Sequence, residues 1–306
     1  MSTIIVIVVT IALCEIVSRI VLHFIYNRNF DFSIVEKSKY GTSNGLKANQ
    51  KTSIWGKTFT TDQYGSRPGT TPTTKRKRVF IGDSVLEGVG LEDSAVCTSI
   101  LQQGDLNAQF LNLSMVGNSS ADYANIIDAI IDSTKPTFIA DIDSITVVFC
   151  LNDIYGKLAE KELPIMSSGF IAKCNALLQN IGTYKLLKLL IYQHSDKYFQ
   201  YDLQFYKQEQ KVHESIDYLV SAKNKCAQHQ IKFEVLILPY RSQFDSKNLF
   251  PQQTLAYYLG MNGVPFKDLY PLLSIHKHPK ELYLFADEIH FSEAGHKAIA
   301  EAIQGQ

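Results

Sequence analysis

Residues 144–151 read Ser-Ile-Thr-Val-Val-Phe-Cys-Leu, a continuous apolar run. A strand with one face in water alternates polar and apolar side chains, whereas a strand covered on both faces does not. The run therefore predicts a central strand of a parallel sheet. Shorter apolar runs at 78–81, 109–113, 233–238 (closed by Pro239) and 266–269 predict four more strands. Between and after them the pattern turns helical at 94–103, 121–132, 211–229 and 292–303, with a helix fragment at 254–259. Alternating strands and helices predict an α/β fold, a three-layer α/β/α arrangement around a flavodoxin-like, doubly wound parallel sheet of about five strands. Functional residues in such sheets gather at the carboxyl ends of the strands.

The 306 residues carry 30 Lys+Arg against 30 Asp+Glu, so no basic surplus points to nucleic acid. The one basic cluster, Lys75-Arg76-Lys77-Arg78, directly precedes an apolar strand and reads as a solvated strand entry. Five cysteines at 14, 97, 150, 174 and 226 include no Cys-x-x-Cys spacing, which argues against a zinc site or a disulfide framework. Cys150 lies within the apolar run and reads as a small core residue.

The first 30 residues differ from the rest. The span 4–26 is apolar apart from Glu15, Ser18, Arg19 and His23, and is long enough to cross a bilayer, which takes roughly 20 residues. Glu15 and Arg19 are four apart, on one helical face, where they neutralise each other. A membrane anchor over 1–30 is the reading adopted. A cleaved signal peptide fits less well, because no basic region precedes the apolar core and no small-x-small cleavage site follows it. An interfacial amphipathic helix is the third reading. Arg19, Arg28, Lys37 and Lys39 follow the segment, which by the positive-inside rule would leave the domain in the cytoplasm.

Residues 31–76, rich in Gly, Thr, Ser, Asn and Lys, read as an extended lead-in that wraps the domain. The α/β domain follows over 77–306. It is interrupted at about 154–210 by a helical insertion rich in Tyr, Leu and Lys, whose Tyr155, Phe170, Tyr184 and Tyr192 either line a site or only pack the insertion.

Ser84, in Gly82-Asp83-Ser84, comes directly after a strand, and Asp287-Glu288-Ile289-His290 precedes the last helix. Serine, histidine and aspartate are a nucleophile, a base and an orienting carboxylate, the minimum set for acyl transfer through a serine ester. Gly117 follows the second strand and Asn152 the third. A glycine N–H and an asparagine amide are donors of the kind that hold a developing oxyanion. Taken singly, each has a plain alternative as a turn, loop or helix-entry residue. A nucleotide loop is not indicated, because Gly82, Gly88 and Gly90 lack the required spacing and Asp83 and Glu87 would repel phosphate. Gly-x-Ser-x-Gly occurs once, at Gly41-Thr42-Ser43-Asn44-Gly45 in the lead-in; it follows no predicted strand and opens no helix, so it does not indicate the α/β-hydrolase elbow.

On these blocks the chain resembles the SGNH hydrolase superfamily, the GDSL-type esterases, over roughly 77–303. Gly82-Asp83-Ser84, Gly117, Asn152-Asp153 and Asp287-x-x-His290 match in order, and Phe291-Ser292-Glu293-Ala294-Gly295-His296 is a typical continuation. Cys150 stands where a glycine is common, which alters packing and leaves Asn152 in place. The resemblance implies Ser84 as nucleophile, His290 as base and Asp287 as its partner. It implies an oxyanion hole from the Ser84 and Gly117 N–H groups and the Asn152 side chain, with no cofactor or metal. Asp83, Asp153 and His296 are then structural. The apolar N-terminus with Glu15-x-x-x-Arg19, followed by residues 61–67 (Thr-Asp-Gln-Tyr-Gly-Ser-Arg), is similar to bacterial membrane-anchored members, many of which act outside the cytoplasm. Hydrolysis of a small acyl ester, such as O-acetyl on a glycan, is the leading expectation. Glycan O-acyl transfer with the same residues and a non-catalytic glycan-binding or assembly role are the alternatives.

Overall fold

The computed structural model describes residues 2–26, 32–54, 56–70, 75–155, 178, 180–192, 196–285 and 287–305. Helix α1 (Ser2–Tyr26) is followed by two antiparallel pairs, β1 (Val35–Glu36) with β2 (Gly45–Leu46) and β3 (Lys51–Ile54) with β4 (Lys57–Thr60). The lead-in thus contains two small ribbons that the sequence did not announce. Strands of two to four residues carry too few side chains to display a period. Ile34, Leu46, Ile54 and Phe59 close over Met115 as a small separate core, which attaches the lead-in to the domain.

The domain then runs through β5 (Arg76–Gly82), α2 (Ser84–Glu87), α3 (Cys97–Gly104), β6 (Ala108–Asn112), α4 (Ser120–Ile131) and β7 (Ile142–Phe149). Insertion helices α5 (Gly182–Tyr192) and α6 (Lys197–Tyr206) follow. The chain continues with α7 (Glu209–Gln228), β8 (Lys232–Ile237), α8 (Gln243–Ser246), α9 (Phe250–Met261), β9 (Phe266–Asp268), α10 (Tyr270–Ser274) and α11 (Glu293–Gln304). The sheet has five strands, all parallel, in the order β6-β5-β7-β8-β9. That is the flavodoxin-like order, in which the direction of winding reverses between β5 and β7. Helices α3 and α11 pack together on one face, while α4 and α7 pack together on the other. The expected fold class holds.

Element ends moved for local reasons. The helix expected from 94 starts at Cys97, because a 3-10 turn at Asp93–Ala95 ends in extended backbone at Val96. The fragment expected at 254–259 is a full helix opening on Phe250-Pro251, where proline fits the first turn because its missing N–H is not needed there. The basic entry to β5 is only partly solvated: Arg76 pairs with Asp143 and Arg78 with Asp105, both at 3.2 Å, while Lys77 is buried. Cys14, Cys97, Cys150 and Cys226 are free thiols; Cys174 lies outside the described residues.

Candidate active site

The winding reverses between β5 and β7, and just past the carboxyl ends of β5, β6 and β7 each chain segment carries one predicted residue. β5 ends at Gly82, where an added Cβ would sit 2.9 Å from Leu86 Cβ and 3.0 Å from the Val148 carbonyl oxygen. Only glycine permits that approach. Asp83 caps α2 by accepting the Val85 N–H at 2.8 Å. Ser84 is therefore the first residue of a helix that starts at a strand end, with 8% of its surface exposed.

The loop before α11 brings the partners. Asp287 Oδ1 accepts the N–H groups of Ile289 and His290, each at 2.9 Å, and Asp287 Oδ2 lies 2.9 Å from His290 Nδ1. His290 Nε2 lies 3.0 Å from Ser84 Oγ, across 206 residues of sequence. Burial would push the Asp287 carboxyl up, but the His290 hydrogen bond and charge, with the backbone N–H groups, outweigh it and hold it below the ordinary range. Burial lowers His290, while Asp287 and, more weakly, Asp83 and Glu87 raise it; the net displacement is upward.

The oxyanion candidates stand beside this line. Gly117 has a left-handed φ of 78° and faces solvent. Its loop is tied to the serine turn by three bonds. Met115 N–H and the Asn118 side-chain amide both donate to the Gly82 carbonyl at 3.3 Å, and Val116 N–H donates to Glu87 Oε2 at 2.7 Å. Asn152 sits in the 3-10 turn Leu151–Ile154 after β7, close enough to Asp83 for its side chain to favour the Asp83 carboxylate, though burial wins and holds that carboxyl above its ordinary range. Asp153 accepts from Tyr123 Oη and Cys150 N–H, both at 2.6 Å, and holds that turn in place. His296 is buried in α11 and accepts the Cys97 N–H through Nδ1 at 3.1 Å, with burial driving its pKa down to about 3. Among the described residues no group of three or more His, Cys, Asp or Glu is arranged to hold a metal ion.

Three residues were not singled out from sequence. Glu87 is fully buried one turn beyond Ser84, and burial raises its carboxyl to about 7 despite the Arg67 charge. Arg67, also buried, donates to the carbonyls of Glu87 at 2.6 Å, Gly88 at 2.7 Å and Leu91 at 2.7 Å, and lies 4.1 Å over the Phe59 ring. It caps the short helix that bears Ser84 from the lead-in. Asp202, on α6, accepts from Tyr155 Oη at 2.6 Å and Tyr240 Oη at 2.5 Å, joining the insertion to the loops after β7 and β8. No sequence signal marks them, because their partners are distant in the chain, as Arg67 is 20 residues from the Glu87 carbonyl it meets. Tyr155 packs on Phe205 of the same helix, with ring centroids 4.3 Å apart. Tyr184 lies on α5; Phe170 and the Tyr192 side chain fall outside the described residues.

The doubly wound sheet thus carries a serine, a histidine and a carboxylate in line at its switch point, an arrangement open to an ester hydrolase. The chain belongs to the GDSL-like lipase/acylhydrolase family, whose model matches residues 60–303. That match takes in residues 60–76 of the lead-in as well as the α/β domain. Among solved structures, a lipolytic protein of the G-D-S-L family from Desulfitobacterium hafniense aligns at 15% identity, covering 76% of this chain and 99% of its own, with a TM-score of 0.45. The lipase/acylhydrolase from Enterococcus faecalis aligns at 14% over 75% of this chain and 96% of its own, with a TM-score of 0.42. A G-D-S-L family member from Veillonella parvula aligns at 17% over 75% and 97%, with a TM-score of 0.40. No curated protein matches the chain.

Proposed function

We propose that the protein hydrolyses a short acyl ester through an acyl-Ser84 intermediate. The observation that carries this reading is the 3.0 Å approach of His290 Nε2 to Ser84 Oγ with Asp287 on the opposite ring nitrogen. Ser84 Oγ attacks the acyl carbon as its proton passes to His290 Nε2. Asp287 holds the tautomer that leaves Nε2 free to accept, and stabilises the imidazolium. The carbonyl oxygen becomes an oxyanion facing the N–H groups of Ser84 and Gly117 and the Asn152 amide. An amide NH2 has two hydrogens and can turn one of them to the oxyanion. Collapse breaks the ester C–O bond, and the leaving alcohol takes the proton from His290. Water then repeats the sequence, its proton passing to His290 and on to Ser84 Oγ as the acid departs.

The finer reading is an O-acetyl group on a cell-surface glycan, with α1 as a membrane anchor and the domain outside the cytoplasm. An open rim supports it, since Val116 and Gly117 face solvent beside Ser84. So does the length of α1, in which Thr3–His23 gives 21 residues apolar enough to cross a bilayer. The test is a chain-length series of p-nitrophenyl esters together with an acetylated glycan. Acetate is expected to be cleaved faster than octanoate, with acetate released from the glycan. Preference for octanoate overturns the short-acyl reading, and failure of a serine-directed phosphonate to label Ser84 overturns the mechanism.

A further inference from the structure

Glu15 lies 12 residues beyond Thr3 and 8 before His23 in the apolar helix. At 1.5 Å per residue it sits about 18 Å from one end of the span and about 12 Å from the other, inside the ~30 Å hydrocarbon layer if α1 crosses a bilayer. A lone carboxylate at that depth is costly, and such residues pair with protein groups. Glu15 has four bonds. Oε1 accepts Gly182 N–H at 2.7 Å and Arg19 Nε at 2.8 Å; Oε2 accepts Thr183 N–H at 2.9 Å and Thr183 Oγ1 at 3.0 Å. Arg19 Nη2 donates to the Asn180 carbonyl at 2.8 Å.

Gly182 and Thr183 open α5, and the first N–H groups of a helix have no partner within it. Glu15 caps α5 from 167 residues away in sequence. The contact continues along one face of α1: Ser18 and Leu22, one and two turns further on, are 5% and 8% exposed. The opposite faces are open and mostly apolar; among the described residues the exposed charged side chains there are Arg19 and Lys185, long enough to carry their charges toward the lipid surface. Most of α1 from Ile4 to Ile20 is exposed, and so are Leu178, Ile181 and Leu187, the last at 54%. Leu178 and Ile181 stand at the turn that enters α5, beside the clasp. The helix has 11 residues, so it rises about 16 Å, the same length of helix as from Glu15 to the end of α1 at Tyr26. Beyond it α6 packs on α7 and α9 of the domain.

We propose that α5 is a second membrane element, a half-span helix inserted in the lipid beside α1 and clasped to it by Glu15 and Arg19. The occupant of the exposed apolar faces is the bilayer. With its first turn fixed at the depth of Glu15, α5 climbs to the surface at the level where α1 ends. The insertion then continues into α6, whose Asp202 grips the loops that follow β7 and β8. The open rim of the site is thereby seated at the lipid surface. A removable leader has no use for a carboxylate matched to donors in the mature domain, so α1 is retained. The proposal rests on reading α1 as a membrane span.

The test uses the full chain in phosphatidylcholine vesicles with brominated acyl chains, which quench a thiol-linked fluorophore only within the lipid. Both forms carry Cys174→Ser. One is labelled at the native Cys14, and the other at Leu187→Cys with Cys14→Ser. Quenching of both probes is expected. Glu15→Ala is expected to remove most of the quenching at residue 187 and leave it at Cys14, with Glu15→Gln falling between. Hydrolysis of soluble p-nitrophenyl acetate, unchanged in each variant, certifies the folded domain. A quenched Cys14 with an unquenched residue 187 overturns the second membrane element. Quenching at 187 that survives Glu15→Ala overturns the clasp. An unquenched Cys14 overturns the span on which both depend, while leaving the esterase reading standing.

Discussion

On the proposed mechanism, the Ser84–His290 contact makes the rate depend on one proton. His290 must be neutral at Nε2 to accept from Ser84, so kcat/KM rises with pH through the His290 pKa. Asp287 and the nearby carboxylates displace that pKa upward against burial, so the acid limb is expected to have its midpoint above 6.5. A midpoint below that value in a pH profile of ester hydrolysis would refute the assignment. Ser84→Ala and His290→Ala are each expected to lower kcat by about 1000-fold or more without loss of fold, read by steady-state kinetics beside circular dichroism. Asn152→Ala is expected to cost about 100- to 1000-fold, mainly in kcat, because on the proposed mechanism its amide meets charge only in the transition state. These residues were legible because each stands just past an apolar strand or before the last helix, where a switch-point site draws its groups. Glu87 and Arg67 were not. The meaning of a buried charge lies in its partners, and the Val116 N–H that Glu87 holds is 29 residues downstream.

Elements behaved according to how much of their pattern burial dictates. β7 was read to within two residues because helices on both faces leave no room for polar alternation. The ribbons β1 to β4 were missed because their sequence serves mainly their turns. The insertion showed its composition but not its attachment. Asp202 explains the attachment: it is buried on α6, two tyrosine hydroxyls donate to it, and burial raises its carboxyl to about 6. Asp202→Ala strands both hydroxyls in a buried place, with a cost of about 2–5 kcal/mol. Urea denaturation is expected to show that loss as a lower midpoint, and an unchanged midpoint would mean that the two hydrogen bonds to Asp202 contribute nothing to the stability of the domain. Partial proteolysis is expected to cut the variant first within the insertion.

For the whole molecule, the layered architecture was visible in the sequence, whereas the pairing of α1 with α5 was not, since it joins segments that look alike as greasy helices. The balance of buried ionisable groups is equally collective, and it sets how stability responds to pH. Burial raises Glu87 and Glu288 to about 7 from an ordinary 4.5. It lowers His296 to about 3 from 6.5. A lowered histidine adds stability as pH climbs to its unfolded value near 6.5 and nothing beyond. A raised carboxyl keeps its proton in the folded state after the unfolded chain has released it, so stability falls until pH passes the folded pKa. His290, also raised, acts in the same sense above 6.5. From pH 6.5 upward through about 7 the histidine gain is therefore spent while these three losses continue. The folded state holds more protons than the unfolded one, and the slope of stability against pH is negative. The thermal midpoint is expected to fall between pH 6.5 and 8. Glu87→Gln removes one of the three groups without changing side-chain size, so its midpoint relative to the parent is expected to rise over the same interval. Scanning calorimetry of both proteins at matched ionic strength measures the difference. A constant offset across that range would mean that Glu87 is ionised throughout, held by Arg67 more strongly than burial opposes it.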